Sequence, residues 1–214
     1  MNRRTFIAAA GGAAMTAANA FADEAKKSTK DRPLRRTERE LTPEQTYEVI
    51  RATEHAVLST ADDDGNPYGV PVTPVLIDGA LYFHSTGWAG GRKEDNMLMN
   101  PRVSLCFIGK SMTVPNLYTI DFASAIVTGR ASKVTDEKER ERVMREIVAR
   151  LAPQNSKARN DIQFANRFAL VALWKVEIEK ATGKARAAKA WKAGRSLEEP
   201  APMPVQKWLV GAPD

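Results

Sequence analysis

Two prolines and one tight-turn signal, set inside a run of β-forming residues, constrain this chain more than anything else in it. Val70 to Ile77 and Ala80 to Ser85 are rich in β-branched and aromatic residues, and Asp78-Gly79 between them has the composition of a two-residue hairpin turn. Pro71 and Pro74 have no N–H to give to a ladder, so they confine the first of these strands to an edge or to an interrupted ladder. After Phe83 the character changes. Thr86 to Gly91 supplies three glycines, Arg92 and Lys93 follow, and a helix-capable segment runs on to Asn100-Pro101. A loop of this kind can offer backbone N–H groups, the Ser85 hydroxyl and fixed positive charge to an anion, and a phosphate suits that donor set best. Taken alone, the same composition also describes a solvated turn.

The remaining segments read as one β-rich domain. Thr42-Pro43-Glu44-Gln45 opens a helix with Thr42 as N-cap, Pro43 in the first turn and Gln45 placed to close a capping box, and Tyr47 and Ile50 share its apolar face. Ala56 to Ala61 is a strand and Asp62 to Pro67 its turn. Three successive aspartates there lack the spacing and the downstream glutamate of a calcium loop. Arg102 to Ile108 reads as a buried strand, with Cys106 a small core residue, and Tyr118 to Val134 as a longer extended segment. Thr135-Asp136-Glu137 starts a helix that carries Val143, Ile147, Val148 and Leu151 at helical spacing and ends near Ala152-Pro153. Phe168 to Glu179 alternates as a strand with Trp174 in the core, and Thr182-Gly183-Lys184 reads as a turn.

In this order the pieces resemble the FMN-binding split-barrel proteins, the pyridoxamine 5'-phosphate oxidase-like family, and within it the Nim-type nitroimidazole-resistance proteins. The resemblance rests on Asp64 to Val72, Asp78-Gly79, Tyr82-Phe83-His84-Ser85, Gly91-Arg92-Lys93, Asn100-Pro101-Arg102-Val103 and Ser124 to Ala131, and spans residues 42–182. It implies a mainly β (α+β) fold, a split β-barrel of Greek-key type with peripheral helices. It also implies bound FMN. Val70, Pro71, Val72, Thr73, Pro74 and Val75 would run beside the isoalloxazine ring, Phe83, His84 and Ser85 would reach the ribityl-phosphate end, Arg92 and Lys93 would bind the phosphate, and Ser124 would complete the pocket. The family's slot lies between two protomers, so a homodimer is implied. The activity implied is reduction of a small organic electron acceptor, a nitroaromatic compound being one of that kind, with His84 placed to donate a proton. Oxidation of vitamin B6 is not implied, because Val70 stands where pyridoxamine-phosphate oxidases have an arginine. The loop from His84 to Lys93 is longer than the family's usual spacing. Haem-binding and deazaflavin-binding relatives share the barrel, so a cofactor-binding protein without turnover is the second reading. In it, His84 or His55 would be the axial ligand.

Composition narrows the setting. Met1 to Ala22 places Arg3-Arg4 before a short Ala/Gly-rich stretch and small-residue cleavage sites at Ala18 to Ala22, the pattern of a twin-arginine export signal and too short for a stable membrane span. Its expected destination is the periplasm. Residues 23–41 read as a flexible arm or strap and 183–214 as a basic, Pro-rich C-terminal extension. Removing Arg3 and Arg4 lowers the formal charge from +6 to +4, a balance that suits anionic ligands and does not point to nucleic acid. One cysteine and two histidines, well separated, assemble no metal site by spacing.

Overall fold

The computed structural model describes residues 32–87 and 90–186. The chain divides at Arg35; of the first unit only residues 32–35 are described, and they hold neither helix nor strand. The second unit runs, in chain order, through α1 (Pro43–Ala52), β1 (Ala56–Ala61), β2 (Pro67–Val72), β3 (Val75–Ile77), β4 (Ala80–Thr86) and α2 (Arg92–Met99). It continues with β5 (Arg102–Val114), β6 (Thr119–Lys133), α3 (Glu137–Leu151), α4 (Lys157–Arg167) and β7 (Val171–Ala185). One seven-stranded sheet has the order β2-β1-β5-β6-β7-β4-β3, and every neighbouring pair is antiparallel.

β2 and β3 lie at opposite edges of this sheet, yet only Thr73 and Pro74 connect them. Three Cα steps span at most about 11 Å, so the sheet must curl until its two edges almost meet. The result is a split barrel, mainly β with helices around it, and the slit follows β2 and β3. The prolines explain why the barrel does not close. The run from Val70 to Ile77 is therefore not one hairpin strand, as the sequence suggested, but the end of β2 and the whole of β3. The hairpin proper is β3 with β4, turning at Asp78 and Gly79, whose φ angles of 49° and 80° are those an Asp-Gly hairpin turn requires.

The barrel interior holds Leu58, Leu81, Phe83, Leu105, Phe107, Val127, Trp174 and Val176, with Val49 and Ile50 of α1 closing one end. Fully burying an aliphatic side chain of this size is worth roughly 1.5–3 kcal/mol. The Thr42 capping box forms as its sequence predicts, with Thr42 Oγ1 accepting from the Gln45 N–H and Gln45 Oε1 accepting from the Thr42 N–H. A second cluster lies outside the barrel wall, where Val143, Met144 and Ile147 of α3 pack on Ile77, Ala80, Tyr82 and Leu173. The Tyr82 hydroxyl donates to Glu139 at 2.9 Å. Burial, then this bond, push its pKa up to about 12.

Several expectations need correction. Thr182-Gly183-Lys184 is not a turn, since β7 runs through it to Ala185. A side chain at Gly183 would collide with Thr46 and Leu41, so this glycine serves the close approach of α1 to β7. The end of the expected arm is held too: Leu41 is buried, and its N–H donates to the Gly183 carbonyl at 3.0 Å. Phe168–Leu170 is a 3₁₀ turn, and β7 begins after it. Cys106 faces outward between the core residues Leu105 and Phe107. The sequence reading missed α4, although Ser156 caps it and its residues are amphipathic at helical spacing; none of them is fully buried. The export signal and residues 187–214 lie outside the described residues.

Gly183→Val is expected to lower stability by about 1–3 kcal/mol, the usual cost of overpacking, read as a lower urea midpoint. An unchanged midpoint would contradict the packing of α1 on β7 described above.

Candidate functional site

Helix α2 sits across one end of the slit and is fixed on both sides by buried polar contacts. Glu94 is only 6% exposed and accepts a hydrogen bond from the Ser85 hydroxyl of β4 at 2.6 Å. On the other side Asn96, also buried, donates to Thr60 Oγ1 of β1 at 3.0 Å, and that hydroxyl donates to the Tyr68 carbonyl of β2 at 3.3 Å. Met97 points inward between them, 2% exposed. The spacing of 94, 96 and 97 on a 3.6-residue repeat explains why one short helix can reach both walls of the slit.

This arrangement separates the two cations that are adjacent in sequence. The Arg92 guanidinium lies over the Tyr68 ring, 4.8 Å from its centroid, on the β2 side. Its charge also helps, after the hydrogen bonds from Asn66, to hold the Asp62 carboxyl below its usual range. Lys93 faces the β4 side, near His84. His84 is exposed, but enough protein surrounds its ring that desolvation, and behind it the charge of Lys93, lowers its pKa. Beside these groups, the space that side chains at Gly90 and Gly91 would occupy is open.

The predicted site residues thus fall into four places. His84, Arg92 and Lys93 surround the start of α2. Ser85 lies beneath them with its hydroxyl donating to Glu94, and the Phe83 side chain is fully buried in the barrel. Val70 and Val72 turn apolar side chains to the barrel interior and Val75 to the cluster under α3, while Pro71, Thr73 and Pro74 follow the slit. Among the described residues β2 and β3 each pair on one side only, so the slit is bordered by backbone groups that no other described strand takes up. Ser124 is not brought to this group within one chain. It pairs with Lys184 at one end of β7, whereas Ser85 pairs with Ala172 at the other, roughly 40 Å along the strand. Glu94, Asn96, Thr60 and Tyr68 were missed. The i, i+2 pair of polar residues just before Met97 was the available signal, but a short helix with charges reads first as a solvated one. His55 is exposed next to Glu54. Trp88, expected within the loop, lies outside the described residues.

Flavin phosphate is a dianion that calls for charge-assisted donors, and its ring calls for an apolar slot with placed polar groups. The cations beside open space at the start of α2, and the strand edges along the slit, fit both requirements.

Two measurements check this geometry. The His84 imidazole should titrate below the ordinary histidine value in an NMR pH series. Lys93→Ala should raise the midpoint part of the way, because removing a nearby cation favours the imidazolium while burial remains; no movement would place Lys93 elsewhere. Ser85→Ala should destabilise the fold by about 1–3 kcal/mol, because it leaves the buried Glu94 carboxylate without its hydroxyl donor. Ser85→Thr should restore most of that loss in urea unfolding.

Comparison with known proteins agrees with this architecture. Solved structures that the chain resembles include a 5-nitroimidazole antibiotic resistance protein of Bacteroides thetaiotaomicron, at 21% identity and TM-score 0.55, covering 68% of this chain and 85% of that one. Another is an FAD-binding protein of Mesorhizobium loti, at 22% identity and TM-score 0.50, covering 70% and 98%. A third is the flavocytochrome Anf3 of Azotobacter vinelandii, at 17% identity and TM-score 0.58, covering 84% and 92%. At these identities the likeness concerns the fold. No curated protein matches the chain. The pyridoxamine 5'-phosphate oxidase family model matches residues 42–185, from the cap of α1 to the last residue of β7, and the chain belongs to that family.

Proposed function

We propose that this chain is an FMN-dependent oxidoreductase that acts as a homodimer and reduces a small organic acceptor. The observation that carries this reading is the pair of cations at the start of α2, Arg92 over Tyr68 and Lys93 beside His84, at the end of a slit bordered by strand edges. FMN, when bound, supplies the hydride or electrons. The chain's residues bind and orient it. Arg92 and Lys93 neutralise the phosphate, and the main chain from Val70 to Val75 takes the polar edge of the ring. His84, next to Lys93, belongs to the phosphate end in this account, which favours holding the phosphate over proton donation at the ring. A lysine cation beside the imidazole also favours an anion there over a haem iron.

A dimer accounts for an apolar face left exposed among the described residues. On the outside of the barrel Val57, Cys106 and Ile126 pair across β1, β5 and β6, and Ile108 pairs with Ser124 in the neighbouring row. Ile108 is 60% exposed and Ile126 46%. A patch of this kind on a barrel wall suits a second copy, and it would carry Ser124 into the interface. The acceptor is a small molecule, a nitroaromatic being one candidate class that the similarity to the nitroimidazole resistance protein supports. The leader reading supports work in the periplasm after export in the folded state.

Binding of FMN tests the site. Changing Arg92 and Lys93 together to Ala should weaken it at least tenfold, since each charge-assisted bond contributes about 1.5–3 kcal/mol; equal affinity would overturn the assignment. In sedimentation equilibrium the wild type should be a dimer and the Ile108→Asp, Ile126→Asp double variant a monomer. A wild-type monomer would contradict the dimer.

A further inference from the structure

We infer that Tyr68 is a positioning residue for the phosphate end of the flavin, and that it sets the preference for FMN over the unphosphorylated flavin. The inference rests on the reading of the slit as a flavin site. Arg92 and Asn96 stand four residues apart on α2 and so share a face, the one turned to β2. Asn96 holds that strand through Thr60 and the Tyr68 carbonyl, which fixes the tyrosine backbone relative to the helix. The Tyr68 ring then receives the face of the Arg92 guanidinium.

A stacked guanidinium uses its π-face for the ring and keeps its N–H fork in the plane, pointed away from it. Among the described residues Arg92 has this ring contact and no hydrogen bond. A long, exposed side chain loses much rotamer freedom when it grips a ligand. Tyr68 holds Arg92 on the β2 side before the ligand arrives, close to the open space at Gly90 and Gly91. The fork is then already presented to a phosphate, and part of the ordering cost is removed. The hydroxyl of Tyr68 plays no part in this, so phenylalanine should serve nearly as well. Lys93, on the other side of the helix, has no such contact among the described residues and acts as a point charge.

The test compares Kd values for FMN and riboflavin, read by quenching of flavin fluorescence, in the wild type, Tyr68→Leu, Tyr68→Phe, Arg92→Ala and the Tyr68→Leu, Arg92→Ala double variant. Tyr68→Leu should weaken FMN about two- to fivefold, the range of an exposed cation–π contact, and leave riboflavin within a factor of about two. Tyr68→Phe should keep the wild-type ratio. In the double variant the leucine should add nothing to the loss from Arg92→Ala, because the two act as one unit. Equal weakening of both flavins, additive losses, or an unchanged ratio in Tyr68→Leu would overturn the inference while leaving the flavin site standing. If the leucine variant does not fold, the Arg92→Lys protein replaces it, and a ratio equal to wild type there overturns the inference. A wild type that binds neither flavin overturns both this inference and the flavin reading.

Discussion

The link between β2 and β3 is the constraint on which the rest of the structure depends. Thr73 and Pro74 are too few to cross an open seven-stranded sheet, so the sheet has to curl until its first and last strands stand side by side. Pro71 and Pro74 withhold the N–H groups that would zip those strands together. The barrel therefore ends in a slit with strand edges on both sides. Open strand edges have to be managed, and here α2 covers one end of them.

α2 can do this because its contacts are polar and buried on both sides. Glu94 with Ser85, and Asn96 with Thr60, place the helix at a fixed height over the slit, and each bond costs more to break than it contributes on forming. The same rotation about the helix axis that directs Glu94 to β4 and Asn96 to Thr60 of β1 sends Lys93 and Arg92 apart. Adjacent residues in sequence thus become the two sides of the proposed anion site.

Much of the fold was legible in the sequence, because its signals are local. The Thr42 cap, the Asp78-Gly79 turn, the alternation around Trp174 and the cation pair each depend on a few neighbouring residues. What was not legible depends on distant ones. Gly183 reads as a turn until α1 is seen to press Thr46 and Leu41 against it, and Cys106 reads as core until the register with Val57 and Ile126 turns it outward. The Ser85 hydroxyl also donates to Glu94, nine residues on, across a loop whose course no propensity specifies. α4 is the exception, since its Ser156 cap and amphipathic spacing are local signals that the sequence reading passed over.

The central claim is that the slit and the cations at the start of α2 hold a flavin. The most direct measurement is the visible absorption spectrum of the full chain as purified, repeated after adding FMN and removing the excess. The account predicts the two-banded spectrum of an oxidised flavin that is released on denaturation. A Soret band, or no retained chromophore after FMN has been supplied, would contradict it.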